Sequence, residues 1–317
     1  MSPPPTSTAI TSRDYIYAGD LMGNLWKFDL TSSSESGWQV ATGPLFKTAA
    51  GQPITTQVTA SSGTTSAGGS TLVITFGTGQ RTQFTNAAQV SYPKATQSLY
   101  SVWDWNMSAW NAKSNVQYAS LSTSASALMA PNFTLAPGNL QQEVLSLNAD
   151  GSSRDINTPT AICWAGAPGC TGTAAQFGWF INLIGANEQF IYNPLQLDGV
   201  LIINSIVPAN NVVTACTTNT DSGITYAISV LTGTSPPNFF IGFHDTAATG
   251  VQLNAVGTMD IVTAGAPGGG TGTVATAAPG GQSVTGVYQT TSGGGGDNKF
   301  QLPPNEKGRR LSWVELR

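Results

Sequence analysis

From Tyr15 to Leu30 the chain reads YIYAGDLMGNLWKFDL, with bulky and small or polar positions alternating on either side of the turn residues Gly19 to Asn24. Alternation with a period of two marks a half-buried strand, and Gly, Asp and Asn between two such runs predict a hairpin turn. The same pattern predicts strands over Tyr15–Ala18, Leu25–Asp29, Thr71–Phe76, Gln97–Trp103, Gly178–Leu183, Phe190–Tyr192, Val200–Ile206 and Thr225–Leu231, with weaker alternation at Phe239–Phe243 and Ser283–Gln289. Helical periodicity is confined to a short helix around Ser124–Met129 and a turn at Asn86–Gln89.

YIYAGDLMGNLWKFDL, LVITFGTGQ with QSLYSVWD, and GVLIINSIVP with TYAISVLTG share one rhythm: an apolar strand, a turn or excursion, then a second strand. Repeated antiparallel units that cannot bury both faces alone predict blades covering one another. The expected fold is all-β, a modified β-propeller with long loop insertions, roughly residues 104 to 160 and 245 to 298. Ala60–Ser70, Gly265–Gly281 and Gly293–Gly296 are low in complexity and predict loops or linkers. The tail GRRLSWVELR regains alternation and predicts a last strand able to close a ring.

Composition sharpens this picture. The 317 residues include 36 Gly and 18 Pro beside 40% hydrophobic residues, and only 9% are charged, against about a quarter in an average soluble domain. Such a chain meets water through hydroxyls, amides and backbone, which suits a secreted or cell-surface protein. Net charge is −4, and no Lys or Arg lies between Arg154 and Lys299, a span holding Asp155, Glu188, Asp198, Asp221, Asp245, Asp260 and Asp297. Phosphate backbones need clustered cations, so nucleic acid is excluded as a partner. Lys307, Arg309, Arg310 and Arg317 read as a solvated tail. MSPPPTSTAI has neither the basic region nor the apolar run of an export signal, and no stretch reaches the roughly 18 apolar residues of a membrane helix. Residues 1–13 are therefore read as a linker remnant, and 14–317 as the C-terminal domain of something longer.

Candidate chemistry is sparse. Cys163 and Cys170 bracket CWAGAPGC, whose Gly and Pro let the chain turn back, so a local disulfide is expected. Cys216 is free, pairs with one of these, or pairs outside this chain. Zinc-ligand spacing is missing, as are nucleophile-elbow, Walker and His-Glu-x-x-His motifs. His244 reads as structural although Asp245 adjoins it, because neighbouring strand residues face opposite ways. GTGTVA at 270–275 lacks the preceding strand of a dinucleotide site. Asn148, Asp150 and Asp155 around Gly151 are weak calcium candidates, since a hairpin turn explains them too. Trp103, Trp105 and Trp110 are candidate ligand-contact aromatics, although aromatics also fill the spaces between blades.

The opening stretch resembles the signature blade of the C-terminal domain of PilY-type proteins, the tip-associated adhesin and biogenesis factors of bacterial type IV pili. ITFGTGQ, QSLYSVWD, GWFINL, PLQLDGVLIINSIVP with CTTNTDSGITYAISVLTG, and GRRLSWVEL are similar to further family segments in the same order. The resemblance implies a propeller domain at the pilus tip, outside a Gram-negative cell and attached to an N-terminal domain of its own. Its partners would be minor pilins and a host or abiotic surface, and its work pilus assembly against retraction, attachment and twitching motility, without catalysis or a cofactor. Many relatives carry an acidic calcium loop before the counterpart of Tyr15; here only Asp14 remains of it. GANEQF keeps Glu188 but not the arginine of the family's Gly-Glu-Arg group, and no Arg-Gly-Asp occurs. The alternatives are a quinoprotein-type dehydrogenase propeller, whose blades use similar turns, and a carbohydrate-binding module.

Overall fold

The computed structural model describes residues 15–30, 32, 34–40, 43–64, 70–81, 92–105, 133–149, 151–165, 167–197, 199–209, 221–240, 248–253, 257–263, 283–290, 295–301 and 309–310. Among these there is no α-helix, and the regular structure is almost all strand. In chain order the first strands are β1 Tyr15–Gly19, β2 Asn24–Asp29, β3 Gln39–Val40, β4 Phe46–Lys47, β5 Thr59–Thr64, β6 Ser70–Gly77 and β7 Ser98–Trp103. Next come β8 Gln141–Glu143, β9 Ser146–Leu147, β10 Ser153–Asp155, β11 Gly178–Asn182, β12 Leu195–Leu197, β13 Val200–Asn204 and β14 Gly223–Ser229. The last are β15 Ala248–Leu253, β16 Gly257–Thr263, β17 Ser283–Thr290, β18 Gly295–Gln301 and β19 Arg309–Arg310.

They form four sheets. The first is β1-β2-β3, with β4 also pairing β2; the second runs β19-β5-β6-β7-β11-β8, the third β12-β13-β14-β15-β10-β9, and the fourth β16-β17-β18. Each is open, and every pairing between these strands is antiparallel except β8 with β11.

The β1–β2 hairpin answers to one side chain. Asp20 accepts hydrogen bonds from Met22 N (2.8 Å), Asn24 N (2.9 Å), Asn24 Nδ2 (2.9 Å) and Trp26 Nε1 (2.8 Å). Gly23 has φ +79°, and a Cβ there would come within 1.9 Å of Thr48 Oγ1; glycine is required on both counts.

The main core lies where the first three sheets meet. Every residue of β7 is buried. Tyr100 from that strand stacks on Phe76 (centroids 5.6 Å) and Phe180 (5.7 Å), and Phe46 of β4 comes within 5.0 Å. Trp179 of β11 reaches towards the third sheet, its Nε1 donating to Val230 O at 2.9 Å. All residues of β13 and β14 are buried as well, because the third sheet has a core on each side: Leu201, Ile203, Tyr226 and Ile228 join the main core, whereas Val200, Ile202, Ala227, Phe239, Phe240 and Val251 form a smaller one. Continuous apolar runs are what two buried faces demand.

Some expectations are corrected. Ala60–Thr64 is not a loop but most of β5, paired residue by residue with β6; its small side chains fit because a Cβ on Gly63 would lie 2.3 Å from Leu231 Cδ1. The two long insertions are not loops throughout: β17 lies where the weaker alternation at Ser283–Gln289 placed a strand, β8 to β10, β15 and β16 occur there as well, and Gly295 and Gly296 open β18. Phe190–Tyr192 is no strand: Gln189 bridges Ile206, and Phe190 packs edge-on against Tyr226 at 5.7 Å. The tail does return to the sheets, with Arg309 and Arg310 opposite Ser62 and Ser61. The expected helix at Ser124–Met129, the turn at Asn86–Gln89, His244 and Cys216 lie outside the described residues.

Asp20 carries a pH signature. Burial works against its charge, but the hydrogen bonds from Trp26, Asn24 and Met22 prevail and hold its carboxyl below the ordinary value. The stability it contributes is present above the unfolded carboxyl pKa and is lost as pH falls through the lower, folded value. Asp20→Ala is expected to cost about 1–2 kcal/mol in urea unfolding at neutral pH and to flatten the acid limb of the stability profile.

Candidate interaction surface

Because side chains alternate across a strand, the β1–β2 hairpin sorts its residues onto two faces. Leu25, fully buried, points inward, and Lys27 on the same face is also buried. The opposite face carries Ile16 across from Phe28, Phe28 across from Val40, and Ala18 across from Trp26. Ile16 is 37% exposed and Val40 50%, with Trp38 two residues before it at 47%. At the hairpin tip Leu21 and Met22 stand out at 61% and 79%. Of the nine large hydrophobic residues exposed among the described residues, these five belong to the first sheet and its turn. Scattered exposed hydrophobics are ordinary, but their concentration along one sheet, from the hairpin tip to the β3 end, marks a candidate contact surface.

This surface is preorganised. Asp20 fixes the tip, and the inward face is clamped to the second sheet. Lys27 Nζ lies 2.6 Å from Asp104 Oδ2, to which Tyr17 OH also donates at 2.5 Å. A surface already held in its binding shape loses less entropy on association.

A second buried cluster ties the second sheet to the third. Glu188, on the loop after β11, pairs with Arg154 of β10. Tyr226 OH donates to Glu188 Oε1 at 2.9 Å, Ser205 Oγ to the same oxygen at 2.6 Å, and Gly185 N to Oε2 at 3.0 Å. The arginine missing beside Glu188 in sequence thus has a spatial counterpart, brought in by pairing of β10 with β15.

The other candidate residues fall elsewhere. Cys163 and Cys170 form the disulfide, with Cα atoms 5.3 Å apart. It closes a loop whose Trp164 meets Trp103 edge-on at 6.2 Å. Trp103 and Trp105 do not present rings to a ligand: they are 0% and 4% exposed and pack on Phe177 at 5.8 and 6.3 Å. The reason is that Trp103 ends the fully buried β7 and Trp105, two residues on, follows it into the main core. Trp110 lies outside the described residues, as do Asp14 and Asp150. Asn148 sits in the β9–β10 turn, where its N donates to Ser153 O at 3.1 Å, and Asp155 is a buried residue of β10. No group of three or more His, Cys, Asp or Glu able to hold a metal occurs among the described residues.

Leu21 and Met22 were hidden in the sequence inside what reads as turn chemistry. The signal was nonetheless available, since a hairpin with Leu25 on one face and Ile16, Trp26 and Phe28 on the other is apolar on both sides.

Stability should respond to both clusters. Glu188 is fully buried, so Glu188→Gln, which leaves Arg154 as an uncompensated buried charge, is expected to cost about 3–5 kcal/mol. Burial, then the Glu188 charge, raise the Tyr226 phenol well above its ordinary value against the pull of Arg154; burial and the Asp104 charge do the same to Tyr17. Stability from these two groups is complete below the ordinary phenol pKa of about 10 and is lost as pH rises above it towards the folded values, since only the unfolded chain then ionises. Alkaline unfolding followed by phenolate absorbance should show the midpoint less steeply pH-dependent in Tyr17→Phe and Tyr226→Phe.

No protein-family model matches the chain. It is 27% identical over 227 residues to the Type IV pilus biogenesis factor PilY1 of Pseudomonas aeruginosa, with the same figures for strains PAO1 and PAK; the match covers 62% of this chain and 17% of those relatives. Among solved structures it is similar to the Pseudomonas aeruginosa PilY1 C-terminal domain, with a TM-score of 0.53 and 22% identity, covering 79% of this chain and 54% of that one. The chain therefore spans about a sixth of the curated relatives' length and about half of the solved domain.

Proposed function

We propose that this chain, homologous to the C-terminal domain of PilY-type proteins, acts in type IV pilus biogenesis as a binding module and not as an enzyme. The observation that carries this reading is the exposed apolar sheet, in a chain similar to a pilus biogenesis factor. The four sheets are taken as blades of a modified β-propeller, with β19 closing the ring on β5. The domain sits at the pilus tip, outside the cell, and docks on minor pilins through Ile16, Leu21, Met22, Trp38 and Val40. There it favours assembly over retraction and supports attachment and motility, with no cofactor in its action. Protein contacts with few charged side chains carry little desolvation cost, which suits a module of 9% charge.

Deleting the parent gene is expected to remove surface pili, and deleting the retraction motor as well to restore some. Met22→Ser with Trp38→Ser should leave unfolding within about 0.5 kcal/mol of the parent, since both residues are exposed. The same pair should weaken binding to purified minor pilins by at least about 30-fold, the scale of one lost aromatic anchor. Full piliation in the deletion strain would remove the biogenesis role; unchanged pilin binding by the double variant would move the contact off the first sheet.

A further inference from the structure

Between the first and second sheets a lysine and an aspartate stand in contact where water barely reaches. The Lys27 side chain is 10% exposed and that of Asp104 0%, with Nζ 2.6 Å from Oδ2. Tyr17 OH donates to that same Oδ2 at 2.5 Å, and the Tyr15 ring centroid lies 4.0 Å from Nζ. Trp103 and Trp105, the sequence neighbours of Asp104, are both buried. Each ion of such a pair loses its hydration, and attraction in the interior offsets this only in part. An amide between the same two side chains would keep the sheets joined and remove both charges.

We propose that Lys27 and Asp104 are linked by an isopeptide bond formed in the folded chain. A proton first passes from the ammonium to the carboxylate across the 2.6 Å contact, which leaves Nζ with the lone pair that attack requires. The Nζ lone pair then attacks Cγ, which the 2.6 Å contact places within reach, and enclosure holds the two groups at high effective concentration. The new Nζ–Cγ bond forms as the Cγ–Oδ2 bond breaks, and Oδ2 leaves as water. That water carries the ammonium proton passed to the carboxylate and the hydroxyl proton of Tyr17; a second ammonium proton replaces the one Tyr17 gave, and the third stays on the amide nitrogen. Tyr17 is the catalytic residue, handing its hydroxyl proton to Oδ2 and regaining one released from Nζ. Its burial and the neighbouring carboxylate keep that hydroxyl protonated until it is needed. Atoms balance without oxidant, cofactor or activating nucleotide. The link would fasten the interaction surface covalently to the second sheet, and it stands whether or not that surface binds a pilin.

The test is the mass of the purified full chain after its disulfide is reduced. It is expected to be lighter than its sequence by one water, and a tryptic digest should contain a branched peptide joining Lys27 to Asp104. Lys27→Arg and Asp104→Ala should restore the full mass, Asp104→Asn should close the bond with loss of ammonia instead, and Tyr17→Phe should leave a large unlinked fraction. A full-mass parent chain whose Lys27 is found in a linear peptide overturns the proposal, as does a lost water without the branched peptide. Both of these results are measured on the unaltered protein, so neither depends on a variant folding.

Discussion

Lys27 with Asp104 and Tyr17, and Arg154 with Glu188 and Tyr226, are two versions of one arrangement: a buried cation and carboxylate with a phenol hydrogen-bonded to the acid. Each spans a seam, the first between sheets one and two, the second between sheets two and three. The second sheet is thereby held from both flanks. Hydrophobic packing brings the sheets together but is tolerant of sliding; a charged pair cut off from water has one acceptable geometry. The aromatic stacks around Tyr100 and Trp103 fill the main core beside these clasps.

The low charge of the chain gives these clasps their weight. With 12 Lys and Arg and 16 Asp and Glu in 317 residues, a random surface would have used them all for solubility. Among the described residues, two ion pairs, Lys27–Asp104 and Arg154–Glu188, lie inside. Amides also satisfy backbone groups, as Gln52 does when its Nε2 donates to Thr96 O, while its Oε1 accepts from the Tyr100 hydroxyl. The exposed apolar sheet is then not a by-product of an apolar composition, because the central strands β13 and β14 of the third sheet bury apolar residues on both faces.

Strands with clean alternation or long apolar runs were legible: β1, β2, β6, β7, β11, β13 and β14 lie where the pattern places them. β5 was not, because Thr-Ala-Ser-Ser-Gly-Thr looks like a linker until Leu231 is known to press on Gly63. The two-residue and three-residue strands β3, β4, β8, β9, β10 and β12 carry too few positions for any period to show, and β19 is read only as part of the longer tail alternation. At the candidate site, the Asp20 turn and the Cys163–Cys170 bridge could be read locally, since their partners are close in sequence. The Arg154–Glu188 pair could not, as its members are 34 residues apart, one in β10 and the other on the loop after β11. Trp103 and Trp105 misled for the opposite reason: a cluster of tryptophans in sequence reads as a platform, whereas the end of a fully buried strand carries its neighbours inward.

The last described strand, β19, lies against β5, which belongs to the opening part of the chain. The β5 edge of the second sheet is therefore covered by a segment about 250 residues further along, and the closure entropy of so long a loop must be met before that pairing gains anything. Maturation of this molecule is thus a late, all-at-once event, and during the wait β5 offers its unpaired backbone to any other extended segment nearby. A chain built this way has reason to be accompanied while it emerges.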